Sequence, residues 1–304
     1  MSSRFENDLR DTMQTTRLPV TVGQYIVRLR ILNGGPLKSL KFLTDFQAIK
    51  GKIENLDKAL STKISYLTAI CAVLKSNKKY TKLHKNYVQL SLEMSKPMAE
   101  ALETNQKDEK QKESIVAAKE IVEIRQGLNL QIEAGGASWS VYCQHLALCL
   151  YTMQPPRRNR DFSEMVIVLD EPAILSKELN YFVISEGLFI FNNYKTASTY
   201  GAQRLRVSEE LSEVLDRYLQ EFFRIVKIGE DIPYLICNEE GKKLEIRNAM
   251  TRLLHRAIGK NIGSTSLRHI YLSSKYAETL KEQKADAEAM SHSLSMARAY
   301  IKID

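Results

Sequence analysis

The sequence predicts an α+β protein, mainly α with a small antiparallel β-sheet, folded as two domains. Three observations predict it. From Lys52 to Arg125 there is no glycine and a single proline, Pro97, so long helices meet almost no breaker. Three short β-rich runs, Val166 to Leu169, Tyr181 to Ile184 and Leu188 to Phe191, follow one another with turn residues between them. Between Glu100 and Glu113 the composition shifts to Glu, Lys, Gln, Asn and Asp, as in a tether between domains.

Taken in order, residues 1–17 are polar and are expected to be a flexible arm. Residues 18–101 are expected to form a helical domain, in which Ile64, Leu67, Ile70, Cys71 and Leu74 recur at helical spacing as one apolar stripe. Residues 102–114 are the expected linker, itself compatible with helix. The second domain covers 115–304. Within it Trp139, Val141, Tyr142, Leu146, Leu148 and Leu150 predict a buried helix ended by Pro155-Pro156, whose rings cannot continue it. The three β-rich runs come next, and helical periodicity returns over Leu211 to Val226 and Arg247 to Ile258.

A chain of 304 residues can build two cores of ordinary size, and 44% hydrophobic with 26% charged residues excludes a disordered or fibrous chain. No apolar run approaches the roughly 20 residues of a bilayer span, and Met1-Ser-Ser-Arg-Phe-Glu lacks a signal-peptide core. A membrane partner is not expected, no targeting signal is seen, and the protein is expected to stay intracellular. The four cysteines, Cys71, Cys143, Cys149 and Cys237, lie in apolar contexts without CxxC spacing, so buried reduced thiols are expected and no metal site.

The net charge of +8 is uneven. Residues 1–100 hold 17 Lys/Arg against 8 Asp/Glu, a net +9 that leaves −1 for the rest. A basic excess in one third of the chain suits a nucleic-acid-facing module, because neutralised phosphates release counterions. The candidate phosphate contacts are Lys75, Lys78, Lys79, Lys82 and Lys85, interleaved with Tyr80 and Tyr87, and Arg28, Arg30, Lys38 and Lys41 around the Gly34-Gly35-Pro36 turn.

The chemistry-bearing residues lie later. Gln154-Pro-Pro-Arg-Arg-Asn-Arg-Asp-Phe162 carries an arginine cluster, Asn193-Tyr-Lys-Thr196 a lysine, Thr265-Ser-Leu-Arg-His269 an arginine and a histidine, and Met290-Ser-His-Ser293 a histidine eight residues before Tyr300. A phosphodiester repels nucleophiles because its oxygens carry negative charge that grows in the transition state. Fixed cations are therefore the main requirement, and guanidinium forks supply them in planar geometry.

The order Arg, Lys, Arg, His, Tyr resembles the tyrosine recombinase (phage-type integrase) family. The likeness extends from Cys149 to Ile301, and by architecture alone over residues 18–101. The wording of Gly259 to Tyr271 and Pro-Pro-Arg-Arg looks like integrases of large DNA viruses, virophages and related mobile elements. The resemblance implies a two-domain clamp on double-stranded DNA, with 18–101 as the core-binding domain and 115–304 as the catalytic domain. It also implies a homo-tetramer on paired sites, no cofactor, and a DNA-containing compartment such as the host nucleus, cytoplasm or a viral factory. Many relatives carry a further helix after the tyrosine that docks into a neighbouring protomer, whereas four residues follow Tyr300 here. That leaves exchange of the tyrosine helix itself, tetramer contacts elsewhere, or a truncated sequence.

The roles follow from the same resemblance. Arg158 and Arg268 would clamp the scissile phosphate, and Arg158 is chosen over Arg157 and Arg160 because the family places an acid three positions after its arginine, which Asp161 matches. Asp161 would orient the site. Lys195, on a β-hairpin, would protonate the leaving 5′ oxygen. His292 would hydrogen-bond the phosphate. Tyr300 would be the nucleophile, giving a 3′-phosphotyrosyl link, and since a free phenol titrates near pH 10, cations must favour its phenolate. Thr265 stands where the family carries a histidine, and a threonine cannot act as a base near neutral pH. His269 could stand in as that base, although the family position more often supports the site structurally.

Two other functions share these features. A type IB topoisomerase-like enzyme would use the same chemistry without paired sites. A catalytically impaired DNA-binding relative would keep the fold alone, a reading that Thr265 favours.

Overall fold

The computed structural model describes residues 4–75, 77–104, 118–172, 176–227, 232–244, 248–260 and 262–301, with the backbone alone for 101–104. The chain divides into two units, Met1–Lys107 and Asp108–Asp304.

The first unit is helical: α1 (Arg4–Gln14), α2 (Pro19–Asn33), α3 (Phe46–Glu54), α4 (Leu60–Lys75) and α5 (Thr81–Thr104), with 3-10 turns at Lys41–Thr44 and Lys78–Tyr80. Pro19 opens α2, where a missing N–H costs nothing, and Gly34 closes it at φ 78°. Between them Val22, Ile26, Leu29 and Leu32 recur every three or four residues and face Leu67, Ile70 and Leu74 of α4 in one core. Buried Tyr87 of α5 donates its hydroxyl to the Leu43 carbonyl at 2.9 Å, tying α5 to the first 3-10 turn.

Two expectations are corrected here. Residues 4–14 are not a loose arm: they form α1, and Met13 joins the core. The cause is Glu6, whose fully buried carboxylate accepts from Arg30 Nε at 2.8 Å and from the Leu37 backbone N–H at 2.7 Å. A buried carboxylate is stable only when donors surround it, so the segment is pinned where those donors are. Arg30, expected as a phosphate contact, has its guanidinium committed to Glu6. The expected linker is partly helical, since α5 runs to Thr104; residues 105–114 lie outside the described residues.

The second unit begins with α6 (Ala118–Glu133), α7 (Trp139–Thr152) and a short α8 (Asn159–Ser163). Strands β1 (Met165–Val168), β2 (Asn180–Val183) and β3 (Leu188–Phe191) follow, then a one-turn α9 (Ala197–Tyr200) and β4 (Gln203–Arg206). Helices α10 (Glu209–Ile225), α11 (Ala249–Ile258), α12 (Ser264–Ala289) and α13 (Leu294–Tyr300) complete it.

The sheet has strand order β1-β2-β3-β4 and is mixed, not antiparallel as expected. β2–β3 and β3–β4 pair antiparallel, but β1 and β2 run parallel, with Met165 opposite Asn180. The connection 169–179 is long enough to bring the chain back to the start of β1, which a tight hairpin could not do. Alternate residues serve two cores. Phe182, Phe189 and Phe191 join the main cluster with α7 and α10, while Tyr181, Val183, Leu188 and Ile190 form a smaller one on the other face.

Helix α7 is the hub of the main core, buried from Cys143 through Tyr151 apart from Gln144, and Trp139 Nε1 donates to the Cys237 carbonyl at 2.9 Å. Helix α12 behaves differently. Its first turn is anchored by Ser264 and Leu267, but from Tyr271 onward most of its residues are exposed and α13 packs against its far end. Among the described residues no helix is long and apolar enough to cross a membrane, and no group of His, Cys, Asp or Glu could hold a metal ion.

Candidate functional site

Pro155-Pro156 stop α7 and hand the chain to Arg157 and Arg158 in extended backbone before α8. The two arginines line an open cavity of about 260 Å³, together with Asp161, Tyr194, Gln203 and Arg268. Thus Arg158 and Arg268, distant in sequence, share one pocket. The start of α8, the segment between β3 and β4, and the first turn of α12 build it.

The arginines are held differently. Arg157 donates from Nε to Asp161 Oδ2 at 3.1 Å and from Nη1 to Gln203 Oε1 at 2.8 Å. Its guanidinium carbon lies 3.8 Å over the Phe191 ring and 5.0 Å from that of Tyr194. With its side chain 15% exposed, Arg157 is built into the wall. The Arg158 guanidinium has no hydrogen-bond partner among the described residues. Arg268 donates from Nε to the Ser264 carbonyl at 3.2 Å and from Nη2 to Thr265 Oγ1 at 3.3 Å, which fixes its direction and leaves other N–H groups for a ligand.

Asp161 is 3% exposed. Burial pushes its carboxyl above the ordinary aspartate value, and the charges of Arg157 and Arg158 oppose that push. Asp161 thus touches Arg157, whereas its sequence spacing pairs it with Arg158. Its backbone carbonyl accepts from Asn180 Nδ2 at 3.0 Å, and the same Nδ2 reaches the Asn193 carbonyl at 3.0 Å. Asn180 Oδ1 accepts from the backbone N–H groups of Asn192 and Asn193 at 2.9 and 2.8 Å. One buried amide therefore locks the segment after β3 onto α8.

That segment carries Lys195. It is exposed in the turn before α9, on the β3–β4 hairpin, and its neighbours Tyr194 and Thr196 line the pocket. Tyr194 is buried and donates its hydroxyl to the Gly201 carbonyl at 2.6 Å, closing the loop on itself. Gly201 turns at φ 68°, a region costly for residues with a Cβ.

Not every expected residue is in the pocket. Thr265 is exposed and contributes by holding Arg268, and His269 is exposed on another side of α12. His292 and Tyr300 are together, their rings stacked with centroids 5.6 Å apart, but at the far end of α12. Arg298 of α13 bonds Gln283 at 3.1 Å, and Gln283 lies about 22 Å along the helix from Arg268 at 1.5 Å per residue. Tyr300 is 65% exposed. In one copy, Tyr300 and the arginines are apart.

In the first unit Lys38, Lys41, Lys75, Lys78, Lys79, Lys82 and Lys85 are exposed, and none forms an ion pair among the described residues. Arg28 is half-buried on α2. Sequence reasoning missed Arg157, Asn180, Tyr194 and Gln203 as site builders. Only Arg157 carried a signal, its place in the Arg-Arg pair.

A larger cavity of about 650 Å³ opens between α8 and α11. Its cations are neutralised: Lys243 and Arg160 share Glu164 at 2.6 and 2.9 Å, and Lys242 meets Glu240 at 3.2 Å. The smaller arginine pocket is the better anion site, because Arg158 and Arg268 keep donors to offer.

No family model, curated protein or solved structure matches the chain.

Proposed function

We propose that the protein is a tyrosine-type site-specific DNA recombinase or integrase, which cleaves and rejoins double-stranded DNA through a covalent 3′-phosphotyrosyl intermediate. One observation carries this reading: Arg158 and Arg268 meet in one open pocket with N–H groups free to fork onto a single phosphate. Lys195 stands beside that pocket on a braced loop.

In the reaction the Tyr300 oxygen attacks phosphorus, a P–O bond forms to the tyrosine, and the bond to the 5′ oxygen breaks. The phenolic proton leaves to solvent or a base, and Lys195 gives a proton to the departing 5′ oxygen. Arg158 and Arg268 hold the charge that grows on the other phosphate oxygens. The phosphotyrosyl ester keeps the bond energy, so a 5′-hydroxyl of another strand reverses the step. No cofactor is needed. The unpaired lysines of the first unit supply sequence-independent contacts to the DNA backbone.

The distance between Tyr300 and the arginines sets the assembly. Leu272 and Tyr276 on α12, Met290 just after it, Met296 on α13 and Ile301 just after that helix are exposed apolar side chains along an arm that leaves the core. In this reading the arm of one copy enters the pocket of another on paired sites, and a homo-tetramer is the assembly at work. The same distance favours a second reading, a DNA-binding relative without catalysis, which Thr265 also fits.

Trapping decides between them. The protein is incubated with supercoiled plasmid bearing the ends of its own element and stopped with SDS. The recombinase reading expects a covalent protein–DNA adduct that Tyr300→Phe abolishes. DNA binding without adduct would sink it in favour of the inactive binder, and adduct with relaxation but no recombinant product would favour the topoisomerase-like enzyme.

A further inference from the structure

We infer that Arg157 is a positioning residue that couples the Lys195 loop to the phosphate pocket, acting through Lys195 without itself holding the phosphate. The inference rests on the recombinase reading and adds a residue that sequence spacing alone sets aside. Arg157 touches four elements of the wall beside Lys195. It reaches Asp161 on α8, Gln203 at the start of β4, Phe191 at the end of β3, and Tyr194, the residue before Lys195. A planar guanidinium is the one side chain that can do this: two edges donate in fixed directions while the face lies on aromatic rings.

Its guanidinium is anchored, with the side chain only 15% exposed. Nε and Nη1 go to Asp161 and Gln203, and the face is covered by Phe191, whereas Arg158 next door keeps its whole guanidinium. Placement therefore separates the two: Arg158 and Arg268 point charge at the ligand, and Arg157 holds the β3–β4 connection against α8. Asn180 braces the same connection from the other side through Asn192 and Asn193. A lysine that must deliver a proton to one oxygen depends on such bracing, since a misplacement of an ångström costs orders of magnitude.

The test uses a change of leaving group. In a 5′-bridging phosphorothiolate, sulfur departs as a thiolate and needs no proton, so a defect that acts through the general acid disappears. The full-length protein is assayed for single-turnover adduct formation on ordinary and phosphorothiolate DNA, with Lys195→Ala and Arg158→Ala as references. Arg157→Met should lose about 100-fold on ordinary DNA, as expected for loss of general acid catalysis, and return to near wild-type rate on the phosphorothiolate. Lys195→Ala should behave alike, and Arg158→Ala should stay slow on both. Because Arg157→Met can weaken folding, Gln203→Ala, which frees one edge of the guanidinium, is run beside it and should show a smaller defect with the same rescue. Defects in both variants that persist on the phosphorothiolate, or no defect in either, overturn the inference while wild-type adduct keeps the recombinase reading. Wild type without adduct on either substrate overturns both.

Discussion

Asp161 accepts its 3.1 Å hydrogen bond from Arg157, and the adjacent Arg158 is left with its guanidinium unbonded at the same pocket. The pair thus divides into a scaffold residue and a ligand-facing one, and the division is measurable. Arg157→Ala strips a buried carboxylate of its hydrogen-bonded cation and should cost about 3 kcal/mol of stability. Arg158→Ala removes a side chain that makes no hydrogen bond among the described residues and only a minor charge contribution at Asp161, so it should cost well under the Arg157 change, about 0.5 kcal/mol. Denaturant melts of the two variants check both values. In adduct formation at a phosphodiester Arg158→Ala should nonetheless lose about 100-fold or more, a defect that a phosphorothiolate leaving group does not repair.

The lysines of the first unit should act as a uniform electrostatic surface. Replacing Lys78, Lys79 and Lys82 by alanine should weaken binding to all duplexes alike and lower the slope of log K against log salt by about 0.9 for each phosphate that is no longer neutralised. Fluorescence anisotropy over a salt series reads this directly. Arg30→Ala is the contrast: it abandons the buried Glu6 and should lower the melting temperature more than it changes the salt slope. An Arg30 variant that melts like wild type and loses one unit of slope would reassign that residue to the DNA.

Acid should loosen the second unit through His145. Burial, with help from Arg125 and Arg217, pushes its imidazole down from 6.5 to about 4. The folded state holds it neutral while the unfolded chain takes a proton below about pH 6.5, so its stabilising contribution is complete above that value. It is lost as pH falls toward 4. The loss is about 2–3 kcal/mol across that window for this one group. Other groups titrate there too, so the readout is a difference: the pH dependence of stability should be shallower in His145→Gln than in wild type.

The helices were legible because their signals are local. The stripe of α4 and the Pro155-Pro156 stop after α7 each depend on residues within a few turns. The sheet was legible as strands but not as pairing, because the parallel partner of β1 is set by where the connection 169–179 returns. Glu6 looked like part of a polar arm since its donors, Arg30 and Leu37, stand 24 and 31 positions away. Asn180 was opaque for the same reason, and so was the scaffold role of Arg157, whose contacts with Phe191, Tyr194 and Gln203 form only in the fold. The reach of α12 did leave a trace, as no glycine or proline occurs from Ser264 to the last residue, which lets one helix run on past the arginine box.

That reach yields the most discriminating prediction. If Tyr300 serves the pocket of another copy, a protein lacking the arginine and a protein lacking the tyrosine repair one another. Arg158→Ala keeps Tyr300 and its arm, and Tyr300→Phe keeps an intact arginine pocket. Each alone should give no adduct above about one hundredth of wild type, in line with loss of a main transition-state interaction or of the nucleophile. Mixed on paired sites, they should form adduct on the Arg158→Ala polypeptide, identified by an added tag that shifts its mobility. The tyrosine of that copy then works with the arginines of its neighbour. A mixture as inactive as its components, beside an active wild type, would mean that α12 bends on DNA and brings Tyr300 to its own Arg268. In that case the 26-residue helix seen here is the DNA-free form of the arm.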